Sequence, residues 1–146
     1  MVLKSATSAL KKPVPDQSAT PGKFSVSHAA TSEFKIDGLR AFFAYRDLGI
    51  KYATDGRYVA HVIRAIPGKP LESSWHQHEA DFQMVYVLKG WIEFDYEGVG
   101  KQRYVAGSCF HQPKGIGHIE LGHSDDIEML EIVAPGDFVT TEDATG

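Results

Sequence analysis

Over most of its length the chain repeats apolar and polar positions with a period of two. The run RYVAHVIRAI at 57–66 is dense in β-branched and aromatic residues and predicts a strand, because such side chains suit a pleated, half-buried surface. FQMVYVL at 82–88 predicts another, stopped by Lys89-Gly90. Both of its alternating rows are apolar, which predicts cover on both faces. WIEFDYE at 91–97 alternates cleanly until Gly98-Val99-Gly100 breaks it. Further strands are predicted at 101–105, 117–121 and 127–133, with an earlier one at 40–46. No segment carries a 3.6-residue period of useful helical length. Many short strands between Gly and Pro turns predict an all-β domain, either a sandwich or a barrel.

The two ends differ from this pattern. Residues 1–23, rich in Ser, Thr, Ala, Pro and Lys, predict an arm or linker outside the core that could dock on a neighbouring subunit. Residues 24–139 form the predicted domain, and 140–146 read as a short polar tail. A chain of 146 residues fits one domain. At that size about two thirds of the unfolded surface can be buried, so no disulfide is needed. The single cysteine, Cys109, excludes an internal one. Cysteine usage, an opening without the apolar core of a secretory signal, and no apolar run near the roughly 20 residues of a membrane span predict a cytoplasmic protein that does not engage a membrane. The net charge of −4, with no basic cluster beyond Lys11-Lys12, argues against binding nucleic acid through its phosphates. A small-molecule partner is the better expectation. The surplus of apolar strand positions for one small barrel predicts a homodimer.

The candidate chemistry lies between Trp75 and His118. His76 and His78 are two apart, so in a strand both imidazoles point to one face. With metal–nitrogen distances near 2 Å, such a pair can chelate one ion. Gln83 follows five residues later, and a hairpin through 79–81 would bring it beside the pair. His118 opens a later strand after the turn Pro113-Lys114-Gly115. A pair of histidines two apart is by itself a weak pattern, since a buried histidine often only satisfies a hydrogen bond.

The full spacing is more specific. His76-x-His78, four residues, Gln83, six residues, Gly90 resembles the first motif of the cupin superfamily. Gly107, five residues, Pro113-x-Gly115, two residues, His118 resembles its second motif. The resemblance covers roughly residues 56–134. It implies a single-domain cupin jelly-roll barrel, often dimeric, with a divalent metal in its mouth held by His76, His78 and His118, and with Gln83 either a weak fourth ligand or a group behind a site of three histidines and water. The family's first motif usually carries Glu where this chain has Gln83, and a glycine six residues before the first histidine, where here the nearest is Gly68. An asparagine often follows the last histidine by four, where here stands Gly122.

The glutamine has a chemical consequence. Three imidazoles and an amide leave the charge of a divalent ion uncompensated, which favours anionic guests such as an enolate or carboxylate. Facial nitrogen ligation with open positions suits non-haem Fe(II), with Zn, Ni or Mn as other candidates. The expectation is a metal-dependent oxygenase acting on a small enolisable or anionic substrate. The alternatives are a redox-neutral isomerase or lyase and a non-catalytic small-molecule binder.

Glu120, two after His118, shares its strand face and is a candidate general acid or base. The competing reading is a rim carboxylate, or one that orients a ligand histidine. Of His61 and Arg64, on opposite faces of a regular strand, one should line the pocket. Cys109 reads as a small buried hydrophobe, His111 as a loop residue, and His28 and His123 as surface residues. Trp75, Phe42, Phe43, Phe94 and Phe110 read as core or dimer interface, and Asp125-Asp126 as a hairpin turn.

Overall fold

A computed structural model describes residues 22–142. All but the last two residues of the predicted arm (1–21) and the end of the predicted tail (143–146) lie outside the described residues. The strands are β1 Phe43–Asp47, β2 Val59–Ala65, β3 His76–His78, β4 Phe82–Lys89, β5 Trp91–Tyr96, β6 Gly100–Val105, β7 Cys109–His111, β8 His118–His123, β9 Glu128–Ala134 and β10 Thr140–Glu142. One four-residue helix, α1 Ile50–Ala53, interrupts them. The strands form two five-stranded antiparallel sheets, ordered β1-β2-β9-β4-β7 and β10-β3-β8-β5-β6. This is the jelly-roll barrel expected from the motifs.

Every strand read from the alternation is present, with ends shifted by a few residues. The segment read as a polar tail behaves differently at its start: Thr140–Glu142 form β10 and pair with all of β3, Thr140 opposite His78 and Glu142 opposite His76. The hairpin expected through 79–81 does not form. β3 and β4 belong to different sheets, so Gln83 reaches the barrel interior from the wall facing the histidines.

The inward rows switch from apolar to polar at a similar height. On β4, Val87 and Val85 lead to Gln83; Ile127, just ahead of β9, and Met129 on it lead to Glu131; on β2, Ala65 and Ile63 lead to His61. The apolar end, with Phe42, Phe43, Ile92 and Phe110, is the packed core. The polar end opens onto a cavity of about 960 Å³ lined by groups from both sheets.

Among the described residues, none fully covers the outward row of β4, contrary to the two-sided reading. Phe82, Tyr86 and Leu88 are 40%, 39% and 45% exposed. Cys109, across from Tyr86 on the short strand β7, is exposed rather than buried.

Candidate metal centre

His76 on β3 lies directly across from His118 on β8, and His78 follows on the same face. The ring centroids are 4.2 Å apart for His76 and His118, 5.0 Å for His76 and His78, and 5.1 Å for His78 and His118. One ligand atom from each lies within 4.8 Å of the others, and all three residues are buried. The outer ring nitrogens are already occupied. His76 Nδ1 sits 2.7 Å from the Ser74 carbonyl and His118 Nδ1 2.9 Å from the Ile116 carbonyl. A carbonyl only accepts, so each Nδ1 donates and the Nε2 lone pair remains for a ligand. His78 Nδ1 meets the Thr140 hydroxyl at 2.8 Å, a contact that exists because β10 pairs with β3.

Burial, above all, pushes His76 down to about 3 and His78 to about 4, and lowers His118 as well; the Arg40 charge adds to each shift. Neutral imidazoles with inward lone pairs are the form that binds a metal. Three buried histidines so arranged could hold one divalent ion, and nitrogen donors of this kind fit iron, nickel, zinc or manganese.

The opposite wall carries a hydrogen-bonded row. Gln83 Nε2 donates to Glu131 Oε2 at 3.0 Å, and His61 Nε2 lies 2.6 Å from Glu131 Oε1. His61 is directly across from Glu131 in the β2–β9 pairing, and Gln83 is two positions along on β4. Burial opposes the Glu131 charge, but the hydrogen bond and charge of His61 and the bond from Gln83 outweigh it and hold the carboxyl below its ordinary value. Of the two β2 candidates, His61 is the one that lines the cavity. Arg64 points outward, its guanidinium 3.8 Å from the Phe34 ring centre.

Glu120 is buried and lines the cavity, as its place two after His118 implied. Burial raises its pKa, against the lowering effect of His123. Its Oε1 lies 2.6 Å from His123 Nδ1, so the surface reading of His123 was wrong. The reason is a β-bulge. Glu93 pairs with Gly122 but Phe94 with Glu120, leaving Leu121 as an extra residue. The bulge reverses the alternation and turns His123 inward against Phe42 and Phe43.

Two cavity residues, Glu131 and Arg40, and one partner of a cavity residue, His123, had no part in the sequence reading of the site. Glu131 had a signal. It is the one charged residue in the row Ile127, Met129, Glu131, Val133, whose other members are buried. His111 lies outside the cavity and stacks on Phe82 at 5.7 Å, and His28 is exposed as expected. Phe42, Phe43 and Phe110 are core residues, with Phe94 packed against them.

The sequence model of the cupin domain matches residues 62–133. No curated protein matches the chain. Among solved structures, the polyketide cyclase RemF from Streptomyces resistomycificus superposes with a TM-score of 0.66 at 17% identity, over 84% of this chain and 87% of that one. KdgF from Halomonas sp. gives 0.60 at 19% identity, over 77% and 94%. Hydroxypropylphosphonic acid epoxidase from S. wedmorenis gives 0.56 at 13% identity, over 75% and 59%. At these identities the likeness establishes the fold alone, and it is the same fold in each case. With the family's domain matched across β2 to β9 and both histidine motifs folded into one barrel, the chain belongs to the cupin superfamily.

Proposed function

We propose that this chain is a metal-dependent enzyme acting on a small, anionic, enolisable molecule, and that it is a non-haem oxygenase using iron(II). The observation that carries the reading is the convergence of three neutral imidazoles on one point of a cavity, with no carboxylate among them. A divalent ion there would supply positive charge to polarise a carbonyl and, as iron(II), electrons for oxygen chemistry. His76, His78 and His118 hold the ion, and Gln83 offers its amide oxygen as a fourth, weak ligand. Glu120 takes or returns the substrate proton, and His123 stabilises its charged form. A solved relative described as Fe(II)-bound hydroxypropylphosphonic acid epoxidase supports the choice of metal.

A second reading, a redox-neutral isomerase, cyclase or lyase, is favoured by the buried Glu120–His123 pair. That pair is suited to moving a proton without oxygen. The exposed apolar row of β4 supports the homodimer, and the exposed Cys109 thiol suits a reducing cytoplasm.

The test starts from protein purified without oxygen. Its metals are measured, and oxygen uptake is then followed with a panel of enolisable carboxylates. Iron with substrate-dependent oxygen uptake supports the oxygenase. Turnover in a zinc or nickel form without oxygen supports the second reading. Tight ligand binding with no turnover in any metal form would make the chain a binder. His118→Ala should lose the metal, and a variant with full metal content would remove the histidine assignment. Glu120→Gln should keep the metal and lose about a hundredfold in turnover.

A further inference from the structure

We infer that Arg40 is a second anchor of this cavity, binding the carboxylate of a small substrate whose other end reaches the three histidines. The inference rests on the cavity being a small-molecule site and adds to that reading a residue and a substrate class.

Arg40 is held in place by a built loop. Lys35 and Tyr45 exchange two backbone hydrogen bonds of 2.8 Å that close the loop at its base. Inside it, Gly38 lies so close to the Tyr45 ring that a Cβ there would collide with it. The Tyr45 hydroxyl accepts the Arg40 backbone N–H at 3.2 Å. The side chain therefore enters the cavity from a fixed backbone, and it is only 16% exposed.

Its guanidinium is under-used. Arg40 Nη2 is buried without a hydrogen-bond partner, the sole side-chain atom so placed among the described residues. Its nearest acid, Glu142, lies 3.8 Å from Nη1, beyond hydrogen-bond reach, and is 64% exposed. The two least exposed carboxylates of the cavity are engaged elsewhere: Glu131 by His61 and Gln83, Glu120 by His123. A buried donor without an acceptor is costly in a finished fold, and a ligand that supplies the acceptor removes the cost. Guanidinium matches carboxylate through two parallel hydrogen bonds. With Glu120 and Glu131 on the inner wall, a single inner guanidinium favours a monoanionic carboxylate over a dianionic phosphate.

The probes are acetoacetate and acetylacetone, an enolisable pair that differs by a carboxylate in place of a methyl. Each is titrated calorimetrically into zinc-loaded protein, with zinc content checked in every form. Acetoacetate should bind the native protein more tightly. Arg40→Gln should weaken acetoacetate at least about tenfold while moving acetylacetone by less than about twofold. Gly38→Ala, which keeps the guanidinium but displaces its loop, should produce the same selective loss. Equal affinity of the native protein for the two probes, or loss of both together in Arg40→Gln, would overturn the inference. Tighter binding of inorganic phosphate than of acetate would overturn the choice of carboxylate. If the protein takes up no zinc yet still binds acetoacetate through Arg40, the metal reading fails and this one stands.

Discussion

Acid should unfold the metal-free protein through its site histidines, well before the bulk of its carboxylates protonate. Burial takes His76 down to about 3 and His78 to about 4, and lowers His118 in the same direction. In the unfolded chain each imidazole titrates near 6.5. Between those values the unfolded state binds protons that the folded state refuses, so stability falls as pH falls. Between pH 7 and pH 5 His76 and His78 should each cost about 2 kcal/mol, hence about 4 kcal/mol together, and His118 adds to the loss in the same direction. That approaches the lower end of ordinary domain stability, about 5–15 kcal/mol. Glu120, raised by burial, opposes the loss at the acid end; Glu131, held low, adds to it once its unfolded carboxyl begins to protonate. The assay is the urea midpoint at pH 7, 6 and 5 in the presence of a chelator. His78→Asn should reduce the loss between pH 7 and pH 5 by about 2 kcal/mol, because its protonation in the unfolded chain is removed. A midpoint that stays flat from pH 7 to 5, or a slope unchanged in all three single variants, would refute the assignment of neutral, buried imidazoles.

Gln83→Glu should bind metal about tenfold more tightly and azide more weakly, since a carboxylate adds charge to the ligand set and partly neutralises the ion. Melting temperatures with and without zinc should move in opposite directions, because the metal-free variant sets two carboxylates side by side at Glu131. For the assembly, light scattering should return about twice the 16.1 kDa chain mass. Tyr86→Lys with Leu88→Lys on the exposed face of β4 should return one chain mass, and a native monomer at micromolar concentration would end the dimer reading.

Much of the barrel could be read from the chain because alternation survives wherever a strand is long enough to repeat. β2, β4, β5 and β9 have six to eight residues each and were all visible. β7 and β10 have three each, too few to display a period, and β10 is entirely polar. Its order comes from pairing with β3, which is a tertiary fact. The four-residue α1 is below any helical period, and the Lys23 backbone N–H donates to the Ala53 carbonyl at its end. The three histidines were legible because the motif spacing encodes their cross-strand placement. His123 was not, since a single bulged residue inverts the parity on which face assignment depends. Arg40 was read as the first residue of the strand at 40–46 but lies ahead of β1, and its position follows from a glycine that lets a tyrosine ring close the loop.

The Gln83 position shows how charge can be moved without leaving the site. The family usually sets a glutamate there, which would bring its negative charge to the ion directly. Here the carboxylate is Glu131, one hydrogen bond behind Gln83, and a carboxylate can only accept. The amide nitrogen must therefore face Glu131, and the carbonyl oxygen is left for the cavity. A donor bond to an anion also polarises the amide and makes that oxygen a better acceptor. His61 closes the other side of Glu131, so three neighbouring strands hold the amide in one orientation. Gln83→Glu alone thus changes two things, the ligand charge and the contact with Glu131. Combining it with Glu131→Gln separates them: net charge is conserved, the hydrogen bond is kept with donor and acceptor exchanged, and only the location of the charge moves. The double variant should show the gain in metal affinity without the loss of stability in the metal-free form. If its affinity equals that of the native protein, Gln83 does not touch the ion and the histidines hold it with solvent alone.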